Sequence, residues 1–475
     1  MASPAKPRVV LYNPQAVFFT MPLALIALGS ALDRSRYDVV IIDGRLEADP
    51  VSAVLDAIES ADTVCLGVSV LTGAPIRDAL RITQAVKRRR PRLPVVWGGW
   101  HPSLFPEQTL AAAGIDAAVV GQGEATLVEI VERLVAGDGL LGVAGTVTPG
   151  DEGVVRGATR PMTDINALPP HDYSLVPVER YFGLKQRRQI DYISSQGCRF
   201  RCTFCADPYV YNRGWFGFEP ERIGEELSVL AGRHQMEDVG FQDETFFTSV
   251  KRVSAIADQF LTRDLRFTWT ATMRADQGAR IDDQVLALAH RAGLRRVMVG
   301  VEAGTQALLD WMKKDIKLEQ VYETAEKCRR AGVSVIFNLI VGFPDEPPES
   351  VTESMRVAKR LRAMSPDFEV AIFYYKPYPG NEIADMLVAQ GYRYPDTLDG
   401  WADFEFVTAA SPWVLPATRR RVDRFKFYQR IAWARPTALR APVQALARWR
   451  CAHDVYTFPI EQRLVEWLRP GPRLS

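Results

Sequence analysis

The chain has 475 residues, 47% hydrophobic and 24% charged, with a formal net charge of +1. That length predicts two or three domains, and the near-neutral balance excludes a global pull toward nucleic acid or membrane. Six cysteines in so long a chain, a polar start at Met1-Ala2-Ser3-Pro4, and no run of about 18 apolar residues argue against a disulfide framework, an export signal and a spanning helix. A reducing cytoplasm is the expected setting.

In chain order, Arg8 to Pro14 reads as a buried strand stopped by Asn13-Pro14, and Pro22 to Leu32 as an apolar helix with proline in its first turn. Strands are expected at Val39 to Asp43, Thr63 to Ser69, Pro94 to Trp97 and Ala117 to Val120. Amphipathic helices near 50–60, 75–89 and 124–135 alternate with them. This alternation predicts an open parallel α/β sheet of Rossmann-like type, whose ligands bind beyond the carboxyl ends of the strands. Those ends carry Asn13, Ser69, Gly98-Gly99 and Gly121-Gln122-Gly123-Glu124. Val143 to Val155 reads as a hairpin, and the Leu168-Pro169-Pro170 stretch as part of a rigid linker. The expected division is a first domain at 1–155, a linker at 156–185, a second domain at 186–385 and a basic, mainly helical region at 386–475.

A second alternation begins at Tyr192. Strands are expected at Tyr192–Ser195, Val239–Gln242, Phe267–Thr272, Arg296–Val301, Ser334–Val341 and Phe368–Phe373, with helices near 219–232, 249–263, 282–292, 306–331 and 348–363. Six such repeats suit a partial (β/α)6 barrel with its chemistry at the carboxyl ends of the strands. The unusual residues fall there: Cys198 to Cys205, Asp243-Glu244, Met273-Arg274, Glu302-Ala303-Gly304 and Gly342-Phe343-Pro344. Beyond 380 the alternation stops. Segments 415–434 and 437–450 read as helical, with Trp433 and Trp449 in them and Trp467 beyond. From Ser411 onward 13 Lys and Arg face four Asp and Glu.

Cys198, Cys202 and Cys205 form a C-x3-C-x2-C cluster after Gly197. Three thiolates can hold three irons of a four-iron, four-sulfur cluster and leave the fourth iron open to a small chelating ligand. Structural zinc wants four ligands at paired spacings, and the nearest histidines, His171 and His234, stand at no such spacing. Cys65 and Cys328 read as core.

The cysteine spacing, the aromatic Phe204 before its last member and the later strand ends resemble the radical S-adenosylmethionine (SAM) enzymes. The resemblance implies a [4Fe-4S] cluster on Cys198, Cys202 and Cys205. Its open iron would chelate SAM, whose reductive cleavage yields a radical that abstracts hydrogen from unactivated carbon. An outside electron donor such as flavodoxin or ferredoxin is implied as well. Asp243 or Glu244 would meet the SAM ammonium, Arg274 its carboxylate and Glu302 its ribose, while Gly342 would let the chain approach the adenine; ion pairing suits the first two.

The N-terminal half is similar to the cobalamin-binding domain of one branch of that family. This branch includes anaerobic Mg-protoporphyrin ester cyclases, hopanoid-modifying proteins and carbon methyltransferases. Asn13-Pro14, Pro22-Leu23-Ala24-Leu25, Gly98-Gly99-Trp100-His101-Pro102, Gly121-Gln122-Gly123-Glu124, Leu168-Pro169 and Pro377-Tyr378-Pro379-Gly380 carry the likeness. Asn13, Ser69, Gly98, Gly99, Gly121, Gly123 and Glu124 would face cobalamin. No Asp-x-His-x-x-Gly axial-ligand motif is present, since no histidine precedes His101; that residue is expected to cap its turn rather than bind the corrin. The methylthiotransferase alternative needs three further cysteines in this half, which holds only Cys65.

The expected activity is cobalamin-dependent C-methylation of a small-molecule, lipid-like or tetrapyrrole substrate. Oxidative cyclisation or ring rearrangement without methyl transfer is the runner-up. A non-catalytic Fe-S or cobalamin sensor using the basic tail on nucleic acid is the alternative of another class, with the SAM-contact set against it. The tail is expected to cap the barrel, with peripheral membrane contact as the rival reading. Tyr374, Tyr375, Lys376 and Tyr378 are substrate candidates by position, with Tyr209 and Tyr211 beside the cysteine loop.

Overall fold

The computed structural model describes residues 6–404, 412–435, 441–457, 459 and 461–462. Trp467 lies outside them. By contact density the chain forms two compact units. One comprises the described residues within Met1–Phe200, Phe204–Gln242 and Tyr378–Phe406, the other those within Arg201–Thr203, Asp243–Pro377 and Val407–Ser475.

The first unit is built on a seven-stranded sheet. Its strands are β1 (Arg8–Asn13), β2 (Asp38–Asp43), β3 (Thr63–Ser69), β4 (Val95–Gly98), β5 (Ala117–Val119), β6 (Thr146–Gly150) and β7 (Gly153–Arg156). The order is β2-β1-β3-β4-β5-β6-β7. β1 to β5 are parallel, and the expected hairpin, β6 with β7, extends the sheet antiparallel. β1 is a near-continuous apolar run because both its faces are covered. Val10, Tyr12, Leu66 and Val68 pack on one side; Val9, Leu11, Leu25, Leu127 and Cys65 pack on the other. The chain order reverses between β1 and β3, which makes the crevice at Asn13 and Ser69 the topological switch point.

This unit also holds β8 (Gln189–Tyr192), paired parallel with β11 (Asp238–Phe241), and the short antiparallel pair β9 (Ser195–Gly197) and β10 (Trp215–Gly217). The single strand expected at Tyr192–Ser195 is therefore two strands. Gly197, at φ +90°, brings the chain so close to the Gly214 carbonyl that a Cβ would lie 2.3 Å from it, so β9 turns away to pair with β10. The segment Leu398–Phe404 adds Leu398, Trp401 and Phe404 to the core of the sheet. Sequence periodicity after 380 carries no sign of this return.

The second unit contains β12 (Thr268–Arg274), β13 (Leu294–Glu302), β14 (Ser334–Val341) and β15 (Phe368–Tyr374), all parallel. The helix expected over 306–331 is two helices, Gln306–Trp311 and Leu318–Ala331. The break is conformational: Lys313 and Asp315 both take positive φ, which no helix accommodates. The tail helices Pro416–Ala432 and Ala441–His453 pack on each other. They are anchored to strand β15 through Gln429, which donates to the Val370 carbonyl at 2.8 Å, and to the helix Pro348–Met364 through the ion pair of Lys359 with Asp454. Part of the tail's basic charge is paired: Arg450 with Glu461 within the tail, and Arg435 with Asp367 of the barrel unit. Among the described residues no helix is long and apolar enough to cross a membrane.

Candidate active site

The cysteine loop starts from the β9–β10 pair. All six cysteines are free thiols; Cys202 is buried, and Cys198 and Cys205 are half-buried. Cys65 and Cys328 are core residues whose thiols burial pushes up to about 12. Beside Cys205 and hydrogen-bonded to it lies Asp207, whose carboxyl burial holds above the usual range. Among the described residues no three His, Cys, Asp or Glu side chains are gathered tightly enough for a single ion. A four-iron cluster instead spreads its thiolates over separate irons, and thiolate is its preferred donor. The buried Thr203 hydroxyl, between Cys202 and Phe204, has no partner among the described residues and suits a loop shaped to hold a bound group.

In the second unit an ionic chain surrounds Cys202. Arg274, at the end of β12, has Nη1 3.5 Å from the Cys202 sulfur and Nε 2.9 Å from Asp276 Oδ1, and Nη2 donates to the Lys314 carbonyl. Glu302, at the end of β13, is buried, and its Oε1 accepts from Lys314 Nζ at 2.6 Å. The pairing register slips between Gly300 and Glu302, and Glu302 sits at φ +68°. Asp243 is buried and its carbonyl accepts from Thr272 Oγ1 at 2.7 Å; Glu244 is half-buried. Gly342, at φ +84°, ends β14, and its N–H donates to Glu346. The carboxyl ends thus present anions, a cation and, at Gly342, backbone without a side chain, groups that suit a zwitterionic ligand with a ribose.

The first unit's sheet edge is different in kind. Asn13, Ser69, Gly98 and Gly99 end β1, β3 and β4, and Gly121, Gly123 and Glu124 follow β5. Gly99 is at φ +97°, where a Cβ would lie 3.0 Å from both backbone N and O of Val70. Gly121, at φ +78°, has open space where its Cβ would stand. Glu124 is buried and its carboxyl raised by that burial. A rim of small neutral groups with open space fits a broad, flat cofactor.

His101 does not serve that rim. It is fully buried against Phe105 and Trp401 (centroids 5.5 and 5.3 Å), and Nδ1 is 3.3 Å from Thr72 Oγ1. Burial pushes its pKa down to about 4. The turn is capped instead by Ser103, whose hydroxyl donates to the Gly99 carbonyl and accepts from the Gly121 N–H at 3.0 Å.

Four residues given no role of their own in the sequence expectations matter here. Gln122 Nε2 donates to Gln196 Oε1 at 2.9 Å, and its Oε1 accepts from the Thr163 N–H at 2.6 Å. Trp100 meets Tyr211 edge-on at 5.9 Å. Asp207 and Lys314 flank the cysteines. A lone Gln between glycines, or a Lys beside another Lys, carries no signal before folding. Of the substrate candidates, Tyr374 donates to Asp423 Oδ1 at 2.8 Å on the first tail helix, and Tyr375 is buried and stacked on Phe343 at 4.6 Å. Tyr378 packs edge-on against Phe404, Lys376 is half-buried, and Tyr209 donates to Asp385 at 2.6 Å.

Known proteins resemble the two parts of the chain that carry these strand ends. The B12 binding domain family matches residues 10–131, and the Radical SAM superfamily matches residues 192–358. An uncharacterized methyltransferase of Pyrococcus horikoshii is 30% identical over 377 residues, 78% of each chain. The anaerobic magnesium-protoporphyrin IX monomethyl ester cyclase of Rubrivivax gelatinosus is 26% identical, over 74% of this chain and 63% of the cyclase. The solved structure of the radical SAM methyltransferase TsrM from Kitasatospora setae superposes with a TM-score of 0.70 at 19% identity, covering 81% of this chain and 75% of TsrM.

The fold is that of a Rossmann-like B12-binding sheet followed by a partial (β/α)6 radical SAM barrel and C-terminal helices. The chain belongs to the radical SAM enzymes that carry a B12-binding domain, and a [4Fe-4S] cluster, SAM and cobalamin are the cofactors of that family.

Proposed function

We propose that the protein is a cobalamin-dependent radical SAM enzyme that methylates an unactivated carbon of a small molecule. Bound to these residues, the cluster and SAM supply a hydrogen-abstracting radical and cobalamin supplies the methyl group. Cys198, Cys202 and Cys205 hold the cluster. Asp243 or Glu244 takes the SAM ammonium, Arg274 orients the carboxylate, Glu302 accepts the ribose hydroxyls, and the Gly342 backbone lies along the adenine. Asn13, Ser69, Gly98, Gly99, Gly121, Gly123 and Glu124 line the corrin. Domains at 1–155 and 186–385 carry the two halves of the chemistry.

One observation carries this reading. Gln122, on the Gly121-Gln122-Gly123 turn of the sheet edge, is bonded to Gln196, two residues before Cys198. The proposed corrin rim therefore abuts the strand that leads into the cluster loop. Such an arrangement serves a substrate that must meet a radical and a methyl donor in turn, and holding both in register is the protein's contribution.

Six free thiols suit a reducing cytoplasm, and the electron for each SAM cleavage comes from a low-potential donor of the flavodoxin or ferredoxin class. A lipid-like or tetrapyrrole substrate is the class the reading favours. The likeness to a cyclase supports oxidative cyclisation as the second reading. Anaerobic reconstitution with iron, sulfide, cobalamin, SAM and reductant, followed by product analysis on candidate substrates, separates them. Methylation releases S-adenosylhomocysteine together with 5′-deoxyadenosine. 5′-Deoxyadenosine alone, with turnover indifferent to cobalamin, overturns methyl transfer.

A further inference from the structure

Lys314 is a buried lysine that neither the cluster motif nor the SAM contacts assign. It sits in the break between the helices Gln306–Trp311 and Leu318–Ala331, and its neighbours Lys313 and Asp315 both take positive φ (48° and 56°). Two strained residues around one buried cation require that something else hold the turn in place. Three contacts do so. The Thr203 N–H donates to the Met312 carbonyl at 2.9 Å, Arg201 forms a two-point ion pair with Asp315 at 2.8 and 2.9 Å, and Arg274 donates to the Lys314 carbonyl. The partners Arg201 and Thr203 flank Cys202. The turn is thus locked to the cluster loop and delivers one ammonium into the interior.

Lys314 Nζ lies 2.6 Å from Glu302 Oε1, both side chains being at least nine-tenths buried, and the turn that carries it is bonded to Arg201 and Thr203 on either side of Cys202. Gly300 completes the arrangement. A Cβ there would stand 2.3 Å from Glu302 Oε1 and 2.9 Å from Lys314 Nζ, so a larger residue would push the ends of the pair out of their present positions. A buried carboxylate without a cation is costly to keep ionised. Lys314 supplies the partner charge at 2.6 Å and therefore fixes which way Glu302 points.

We propose that Lys314 is a positioning residue with a double role: it holds Glu302 aimed for the SAM ribose, and, on a turn bonded to both neighbours of the cluster ligand Cys202, it brings a positive charge to that ligand's side of the barrel that eases reduction of the cluster. The inference rests on the SAM assignment above. It adds that SAM affinity and cluster potential are set in part by one lysine that touches neither group. The reduction itself is unchanged: one electron leaves the external donor, which is oxidised, and enters the cluster, which is reduced.

The test compares Lys314→Met, Lys314→Arg, Glu302→Gln and the Lys314→Met/Glu302→Gln double variant in the full-length, reconstituted protein. Cluster content is checked by iron and sulfide analysis, the cluster midpoint potential is measured without SAM, and SAM affinity is measured by equilibrium binding. Removing a cation near a cluster makes it harder to reduce, so Lys314→Met shifts the midpoint to a more negative potential, whereas Lys314→Arg retains the parent value. Losing a charge-assisted contact weakens SAM binding by roughly tenfold or more, and arginine restores part of it. The double variant leaves neither buried charge unpaired and so folds even where Lys314→Met does not. In the Glu302→Gln background the lysine change has no further effect on SAM affinity but still lowers the potential. A folded, cluster-loaded Lys314→Met or double variant with the potential of its background overturns the electrostatic role. An equal loss of SAM affinity in both backgrounds overturns the action through Glu302. If the parent protein with a full cluster binds no SAM, the functional reading fails instead, and the potential comparison still decides the charge effect.

Discussion

The two ligand edges of this chain are built from opposite materials. The N-terminal sheet offers glycine, serine and asparagine, open space at Gly121, and one buried carboxyl at Glu124. The barrel strands end in buried charges: Arg274 with Asp276, and Glu302 with Lys314. The proposed ligands account for the difference. A corrin is broad and already carries its reactive metal, so the protein must supply room and backbone. SAM is small and zwitterionic, so the protein must supply counter-charges already fixed in place, because buried charges are tolerated only when paired. An edge for a large cofactor is made by leaving side chains out, and an edge for a charged one by adding pairs.

The largest expected effect breaks this contrast from each side. Cys202→Ala removes one of three proposed cluster ligands, and both 5′-deoxyadenosine and methylated product fall to background. Gly121→Leu places a side chain in the open space of the rim, at a positive φ that costs about 1–2 kcal/mol. Cobalamin retention on gel filtration should drop at least severalfold and methyl transfer with it, while reductive SAM cleavage continues. Loss of SAM cleavage in a folded Gly121→Leu protein would show that the two edges do not act separately.

A smaller effect concerns how the edges are kept in register. Gln122 is bonded at both ends of its amide, to Gln196 at 2.9 Å and to the Thr163 N–H at 2.6 Å. Gln122→Ala gives up neutral hydrogen bonds worth about 1 kcal/mol each, so the protein stays folded and both cofactors stay bound. The expected signature is uncoupling: more 5′-deoxyadenosine per methylated product, by a few-fold. A ratio equal to the parent's would mean that Gln122 only stitches the fold.

Much of this was legible in the sequence, for physical reasons that also mark the boundary. The Cys198-Cys202-Cys205 spacing is local, and glycines at strand ends such as Gly98-Gly99 are forced by backbone geometry. Gly98 ends β4 and Gly99 takes φ +97° in the turn after it. Lys314 and Gln122 could not be read, because their roles exist only once Glu302 or Gln196 is brought alongside from a distant element. Trp401 is a similar case. It lies in a segment without periodic pattern, yet it enters the core of the sheet 300 residues earlier in the chain and buries His101. The split of the expected 306–331 helix has the same origin, since the positive φ at Lys313 and Asp315 answers to tertiary contacts with the cysteine loop.

His101 offers the gentlest test, one that asks whether the first edge is indeed free of a titrating ligand. Its ring is held neutral by burial, with its pKa pushed from 6.5 down to about 4. A histidine harder to protonate when folded than when unfolded contributes full stability above pH 6.5 and loses it as the pH falls toward 4, because the unfolded chain takes up the proton first. The span is worth on the order of 3 kcal/mol. His171, likewise pushed to about 4 by burial, adds a second ring with the same sign. His101→Phe keeps a ring among Phe105 and Trp401, and denaturant unfolding between pH 7 and pH 4.5 should show a shallower acid decline than the parent. Cobalamin affinity should not move, since the ring faces the core and its Nδ1 is taken up by Thr72. If cobalamin binding instead fell, or its absorption spectrum changed, His101 would be acting on the corrin and the first edge would no longer be a rim of small neutral groups.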